Sequence, residues 1–159
     1  MITAIYPGSF DPITMGHLDI IERGAQIFDA VVVAVLENPH KSALFAVEER
    51  KQLIERSVEG FDNVRVETFM GLLVDYLKQR GARVVIRGLR AVSDFEFELQ
   101  NATMNRKLWP WAETFFMPTS TNYSYLSSSI VKEIAKYGGD VSGLVPPHVE
   151  EALRAKYRP

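Results

Sequence analysis

Apolar residues along the chain fall into five short runs that predict buried β-strands. The run at 30–36, AVVVAVL, is continuous and mostly β-branched, which is typical of a strand covered on both faces of a parallel sheet. We expect Gly88 to break the fourth run. The predicted strands occupy residues 2–6, 30–36, 64–67, 84–87 and 113–117.

Segments with apolar residues at helical spacing follow each of these runs. Gly81 is a typical stop for the third segment, and Ser93 with Glu96 three residues later predicts a capping box for the fourth. Pro147 is placed to open the last one. The predicted helices occupy residues 16–28, 47–58, 72–79, 93–108, 127–137 and 147–157.

Alternating strands and helices indicate βαβ units. We therefore expect an α/β fold, with a Rossmann-like, doubly wound, five-stranded parallel sheet in the order 3-2-1-4-5 and C-terminal helices. The 159 residues fit one domain, 1–159. In this order the chain reverses direction between strands 1 and 4, and ligands bind at such a switch point. The segments that follow those two strands are 7–17 and 88–90.

Composition narrows the classes of function. A formal net charge of -2 argues against a general nucleic-acid binder. Without cysteines the chain has no disulfide, no thiolate zinc site and no cysteine nucleophile, which fits a cytoplasmic protein. The sequence contains no apolar run long enough to predict a membrane span, and the N-terminus does not resemble a signal peptide.

Two stretches look like two halves of one nucleotide site. The first is YPGSFDPITMGH at 6–17, and the second is LSSSIVK at 126–132, where a helix begins. Backbone N–H groups and the helix dipole favour anions at such a place. Neither stretch is a Walker A loop or a GxGxxG fingerprint. The pair suggests chemistry on a phosphate chain.

Cationic and imidazole side chains add to this interpretation. A neutral His17 in the first turn of the first helix can donate to a phosphate oxygen. Arg87 ends the fourth predicted strand and Arg90 follows it, and their forked donors match phosphate oxygens. Ser127 to Ser129 form an N-cap cluster, and Lys132 adds positive charge one turn further on.

Other polar residues have less distinctive surroundings. By spacing alone, Lys41 in its polar loop and Glu98 on a helix face with Asp94 are expected to be solvated. His40 and His148 have no partner at metal-ligand spacing, so no transition-metal site is expected.

Four segments together resemble the bacterial phosphopantetheine adenylyltransferases, of the nucleotidyltransferase superfamily with an (H/T)xGH motif. They are YPGSFDPITMGH, IRGLR, DFEFELQNATMNR and LSSSIVKEIAKYGGDVSGLVP, and the resemblance runs from about Ile5 to Leu153. TxGH and SSS specify only nucleotidyl transfer, whereas RGLR and MNR are more specific. Ser9 stands where Thr is common, and Tyr123 where Trp is often found.

The resemblance implies an enzyme of coenzyme A synthesis. ATP and 4′-phosphopantetheine would give 3′-dephospho-CoA and pyrophosphate by direct in-line attack. Mg²⁺ would be held mainly by ATP phosphates and water, with no protein ligand. The resemblance also implies a homohexamer, and coenzyme A is expected as a feedback ligand because it shares both halves of the product. No nucleic-acid or membrane partner is expected.

The same resemblance implies roles for individual residues. His17, Arg90 and Lys41 would be catalytic. The residues that bind 4′-phosphopantetheine would be Ser9, Lys41, Leu73 and Arg87. The residues that bind ATP would be Ser9, Phe10, His17, Gly88, Leu89, Arg90, Glu98, Tyr123, Ser124, Tyr125, Leu126, Ser127, Ser128 and Ser129.

Two alternatives stay open at this point. One is a sister nucleotidyltransferase, either a nicotinamide mononucleotide adenylyltransferase or a cytidylyltransferase, and the IRGLR segment argues against both. The other is a non-catalytic nucleotide-binding sensor. The joint presence of His17, Arg90 and Lys41 argues against a sensor.

Overall fold

A five-stranded parallel sheet forms the centre of the molecule. In the computed structural model, which describes residues 1–91, Ser93 and 95–158, the strand order is β3-β2-β1-β4-β5. The predicted fold class and strand order are therefore confirmed. The strands are β1 (Thr3–Gly8), β2 (Ala30–Leu36), β3 (Val64–Phe69), β4 (Val84–Leu89) and β5 (Glu113–Pro118).

Several strands run further than their apolar pattern predicts. β4 passes through Gly88 to Leu89, so the expected break at Gly88 is wrong. The reason is pairing with β5, which continues through Gly88–Met117 to Leu89–Pro118. Backbone hydrogen bonds hold this stretch in the sheet. Glycine is needed at this position for close packing, because a Cβ on Gly88 would lie only 3.3 Å from the Ile20 side chain.

The two central strands separate at their carboxyl ends. β1 pairs with β4 only at Ala4–Val84 and Ile5–Val85. On its other side β1 stays paired with β2 as far as Gly8–Val35. The ends of β1 and β4 therefore border a crevice, which is the switch point that the topology predicts.

Helices lie close to their predicted positions. The described residues form α1 (Met15–Ile27), α2 (Val47–Ser57), α3 (Leu73–Arg80), α4 (Phe95–Leu108), α5 (Ser128–Lys136) and α6 (Pro147–Tyr157). A short 3₁₀ turn at Thr121–Tyr123 was not predicted. Gly81 ends α3 with a left-handed φ of 64°, as its position suggested.

The start of α4 differs from the prediction. The helix begins at Phe95 and not at Ser93. The Ser93 hydroxyl instead accepts a hydrogen bond from the Arg90 N–H at 2.9 Å, and the Ser93 N–H donates to the Arg90 carbonyl at 3.0 Å. Ser93 therefore closes a turn after β4. Asp94, expected on the helix face of Glu98, lies outside the described residues.

Apolar side chains cover both faces of the sheet. One cluster packs α1, α2, α5 and α6 against sheet residues such as Ala4, Val33 and Ile86, and the other packs α3 against Ile5 and Val85. No helix in the described part of the chain is long and apolar enough to cross a membrane.

We predict that Ile21→Ala lowers the free energy of unfolding by about 2–5 kcal/mol. Ile21 is fully buried in α1, so its removal leaves a cavity against the sheet. Ile27→Ala in the same helix is the matched control, because Ile27 is 66% exposed, and its effect should stay within about 0.5 kcal/mol. Urea unfolding measures both, and equal effects would contradict this packing.

Candidate active site

One cleft of about 330 Å³ opens where β1 and β4 separate and where α5 begins. It brings together most of the predicted site residues. Those lining it are Ser9, Phe10, His17, Lys41, Arg87, Gly88, Arg90, Glu98, Leu126, Ser127, Ser128 and Ser129. The two motif segments and the end of β4 therefore share one crevice.

Five of the expected residues do not line this cleft. They are Leu73, Leu89, Tyr123, Ser124 and Tyr125. Leu73 opens α3 and packs against the second apolar cluster. The Ser124 carbonyl and hydroxyl accept hydrogen bonds from the Ala91 N–H, at 3.0 and 3.3 Å, so this segment secures the loop after β4. Tyr125 is exposed.

His17 has a defined tautomer. It is the third residue of α1, and Thr14 caps the helix. The Thr14 backbone N–H donates to His17 Nδ1 at 3.0 Å. Because a backbone N–H can only donate, Nδ1 carries the lone pair and the proton sits on Nε2. Nε2–H has no hydrogen-bond partner among the described residues, so it is available to a ligand in the cleft.

The imidazole of His17 is neutral. Its pKa is lowered from 6.5 to about 3, first by burial and then by the positive charges of Arg90 and Arg87. The ring packs edge-on against Phe10, with centroids 5.0 Å apart. Phe10 itself is buried, adopts a φ of 47° and lines the cleft together with His17.

Arg87 is held by two oxygen atoms of one carboxylate. Its Nε and Nη2 donate to Glu98 at 2.8 and 2.7 Å, and Nη1 donates to the Pro7 carbonyl at 3.0 Å. Burial would lower the pKa of Arg87, but the Glu98 hydrogen bonds outweigh it and the pKa is raised. The expectation that Glu98 is solvated is wrong, because its side chain is only 13% exposed and faces Arg87.

Arg90 joins the end of β4 to the segment before α5. Its Nη1 donates to the Leu126 carbonyl at 2.6 Å. Arg90 pairs with no carboxylate among the described residues. Its charge therefore stays available at the cleft, next to the start of α5.

The N-terminus of α5 faces the cleft. The Ser127 hydroxyl accepts from the Ile130 N–H at 3.2 Å, which confirms the predicted N-cap. The Ser128 hydroxyl donates to the Pro12 carbonyl at 2.7 Å and ties α5 to the first turn. The backbone N–H groups of Ser128 and Ser129 have no partner among the described residues, so they can bind an anion.

Several polar residues of the cleft were missed from the sequence, among them Tyr6, Asp11, Thr14 and Arg50. The capping pattern at Thr14, three residues before His17, was a readable signal. Tyr6 and Asp11 lie within the YPGSFDPITMGH motif, but the sequence does not indicate which residues they contact. Arg50, in the middle of α2, carries no sequence signal for its position, because its partners lie on three other segments.

Positive charge dominates the cleft although the whole chain is slightly acidic. The basic residues that line it are Lys41, Arg50, Arg87, Arg90 and Lys132. The acidic residues among its described lining are Asp11 and Glu98, which pair with Lys132 and Arg87. This arrangement suits two anionic groups bound close together.

The doubly wound fold and the basic cleft at its switch point agree with the nucleotidyltransferase class, which comparisons with known proteins establish. The sequence profile of the cytidylyltransferase-like family matches residues 5–134, so the chain belongs to that family. The fold is shared with a crystal structure assigned as a nicotinate-nucleotide adenylyltransferase from Vibrio parahaemolyticus. The TM-score is 0.73 over 99% of this chain and 96% of that chain, at 20% identity.

Curated relatives assign the chain to a narrower family within the cytidylyltransferase-like proteins. A phosphopantetheine adenylyltransferase of Heliobacterium modesticaldum is 57% identical over 99% of this chain and 94% of the relative. One from Alkaliphilus metalliredigens is 56% identical over 98% of this chain and 99% of the relative. The chain belongs to the phosphopantetheine adenylyltransferase family, as its motifs predicted, and is an enzyme and not a nucleotide sensor.

We predict that the His17 imidazole stays neutral between about pH 5 and 9, because its pKa lies near 3. Imidazole NMR should show Nδ1 unprotonated and Nε2 protonated across this range, with the resonance assigned by its loss in His17→Gln. A titration of His17 midway near pH 6.5 would contradict the buried, neutral state.

The same shift makes stability depend on pH. The unfolded chain protonates His17 near 6.5 and the folded chain near 3, so the unfolded state binds more protons between these values. The free energy of unfolding should therefore fall as the pH drops from about 6.5 towards 3, less steeply in His17→Gln.

Proposed function

We propose that this enzyme transfers the adenylyl group of ATP to 4′-phosphopantetheine and releases 3′-dephospho-CoA and pyrophosphate. The observation that carries the proposal is the cleft itself, where Arg87, Arg90 and Lys41 share the lining with the neutral imidazole donor of His17. Relatives at 54–57% identity carry the name of this activity. The IRGLR segment, which supplies Arg87 and Arg90, distinguishes this assignment from the sister nucleotidyltransferases.

ATP is assigned to the side of the cleft formed by Arg90 and α5. The free N–H groups of Ser128 and Ser129 and the helix dipole favour its terminal phosphates. Gly88 allows backbone to approach the nucleotide closely, beside Leu89. Ser9 and Phe10 contact ATP from the first turn. The segment 123–129 was expected to enclose the adenine, and only its part 126–129 lines the cleft, so the adenine is assigned to residues 126–129.

Phosphopantetheine is assigned to the side formed by Arg87, Lys41 and Ser9. The Glu98 carboxylate fixes the Arg87 guanidinium through two hydrogen bonds. Glu98 was expected to bind ATP directly, and this geometry favours a role in orienting Arg87. Leu73 lies outside the cleft, so it reaches only the far end of the pantetheine arm.

The reaction is a single in-line displacement. An oxygen of the phosphopantetheine phosphate attacks the α-phosphorus of ATP, a new P–O bond forms, and the bond to pyrophosphate breaks. The attacking phosphate is already an anion, so no strong base is needed. His17 Nε2–H and Arg90 stabilise negative charge that develops on the α- and β-phosphate oxygens. Lys41 and Arg87 offset the repulsion between the two anions and hold them in line.

Mg²⁺ is assigned to the phosphates of ATP and to water. The carboxylates among the described residues of the cleft, Asp11 and Glu98, are both engaged with cations. They do not form a cluster of ligands. Mg²⁺ keeps much of its water shell, so a phosphate-held ion fits this site. When bound, it neutralises charge on the leaving pyrophosphate.

We further propose that the enzyme assembles as a homohexamer and works in the cytoplasm, where ATP is supplied. The support for an assembly is α4, which has no fully buried residue within one copy and exposes Leu99, Met104 and Leu108 to solvent. Apolar faces of this kind commonly pack against another chain. Coenzyme A is proposed as a feedback ligand of the same cleft. Light scattering with and without coenzyme A tests the assembly.

Incubation with ATP, Mg²⁺ and 4′-phosphopantetheine tests the activity. Mass detection should find dephospho-CoA and an equal amount of pyrophosphate. Nicotinamide mononucleotide and an alcohol phosphate with CTP serve as alternative substrates. Turnover of either in preference to phosphopantetheine would overturn the assignment.

We predict that His17→Ala lowers kcat by about 10²–10³, the usual cost of removing one donor to a developing oxyanion. The affinity for ATP should change much less, because the Nε2–H contact strengthens only in the transition state. Steady-state kinetics and ATP titration measure the two effects. Turnover within a few-fold of wild type would remove His17 from this role.

We predict that Arg87→Ala raises KM for phosphopantetheine by about tenfold or more, as expected for loss of charge-assisted hydrogen bonds to phosphate. KM for ATP should change far less. Arg83→Ala is the matched control, since Arg83 precedes β4 and lies over Trp111 at 4.7 Å, away from the cleft. An unchanged KM for phosphopantetheine in Arg87→Ala would exclude this contact.

A further inference from the structure

Lys41 lies in a loop with little structure of its own. Residues 37–46 connect β2 to α2, and the Lys41 side chain is exposed in the middle of this loop. Its backbone N–H donates to the Asn38 carbonyl at 3.1 Å, within the same loop. The position of Lys41 relative to Ser9 must therefore be set where the loop attaches to the rest of the molecule.

Asp11 makes that attachment at the C-terminal end of the loop. Its Oδ2 accepts from the Leu44 N–H and its Oδ1 accepts from the Phe45 N–H, both at 2.9 Å. Asp11 is buried and lies two residues after Ser9. One carboxylate therefore links the turn that carries Ser9 to the loop that carries Lys41.

Lys132 holds the Asp11 carboxylate in its ionised form. Its Nζ lies 3.1 Å from Asp11 Oδ2 and brings α5 into the same cluster. Burial would raise the pKa of Asp11, but the hydrogen bonds from Phe45, Leu44 and Lys132 outweigh burial and lower it. Lys132, which the sequence suggested as a phosphate ligand, has its charge matched by Asp11.

Arg50 also binds the C-terminal end of the loop, through the carbonyl of Phe45. Its Nε donates to the Phe45 carbonyl at 3.0 Å, and its Nη1 donates to the carbonyls of Ser9 and Leu36 at 2.8 and 3.1 Å. Both backbone groups of Phe45 are thus bound by charged side chains, and its ring is buried. The loop is fixed four residues after Lys41.

We propose that Asp11 is a positioning residue for Lys41, since its carboxylate fixes the Lys41 loop against the Ser9 turn and so places the Lys41 ammonium on the substrate phosphate. This inference rests on the proposed function for the identity of that phosphate. Asp11 acts through the loop and does not touch the substrate, because its oxygens are taken by Leu44, Phe45 and Lys132.

Asp11→Asn is the direct test. An asparagine retains one acceptor oxygen, so it cannot match both N–H groups, and it leaves Lys132 without an anion. KM for phosphopantetheine should rise about tenfold, the order expected for one lost charge-assisted hydrogen bond, while KM for ATP stays within about twofold. Equal increases in both KM values would overturn the proposal.

A double-mutant comparison separates positioning from general damage. In a Lys41→Ala background, Asp11→Asn should change KM for phosphopantetheine by less than about twofold, because the Lys41 ammonium that Asp11 positions is absent. The same tenfold rise in both backgrounds would overturn the proposal. Glu67→Gln is the matched control, since Glu67 pairs with Arg80 at 2.7 Å outside the cleft and should leave both KM values unchanged.

Hydrogen exchange gives a result that does not need turnover. In Asp11→Asn the amides of Leu44 and Phe45 should exchange at least about tenfold faster, with the amides of β2 unchanged. Unchanged exchange at these two amides would overturn the proposal. If the wild type makes no dephospho-CoA, the proposed function fails, and the exchange result still decides whether Asp11 fixes the loop.

Lys132 variants keep the test available if Asp11→Asn does not fold. Lys132→Met leaves the carboxylate in place but removes its cation, and should raise KM for phosphopantetheine about threefold. Lys132→Arg should restore the wild-type value. A Lys132→Met enzyme with unchanged KM and unchanged exchange at Leu44 and Phe45 would contradict the proposal.

Discussion

Separation of β1 from β4 at their carboxyl ends is the constraint on which the site depends. The strands pair at Ala4–Val84 and Ile5–Val85 and no further, while each stays paired with its outer neighbour. The gap gives the ligands a crevice lined by backbone and by the first turn of α1. Arg87 reaches across it to the Pro7 carbonyl at 3.0 Å, so a guanidinium replaces a missing ladder bond.

The lining of the cleft has more basic than acidic side chains. Two of its basic side chains, Arg50 and Arg90, are held by carbonyl oxygens and pair with no carboxylate among the described residues. His17 stays neutral beside them and adds a donor without adding charge. Uncompensated positive charge of this kind favours negatively charged ligands, which agrees with the proposed phosphate substrates.

Sequence patterns predicted the sheet order and the crevice because both follow from βαβ alternation and apolar periodicity. Thr14, His17 and the Ser-rich start of α5 could be recognised because their signals lie within a few neighbouring residues. Two sets of contacts could not be predicted: the pairing of Glu98 with Arg87, and the binding of Phe45 by both Asp11 and Arg50. These contacts join segments far apart in the chain, and the local pattern of an acid on a helix says nothing about its distant partner. The break expected at Gly88 failed because pairing with β5 outweighs local propensity.

We propose that this one crevice aligns two phosphates for a single displacement. The stereochemical course at the α-phosphorus tests it most directly. With ATP carrying a chiral α-thiophosphate, one in-line attack by phosphopantetheine predicts inversion of configuration in the dephospho-CoA formed. Retention would require two displacements and a covalent enzyme intermediate, and would contradict the account.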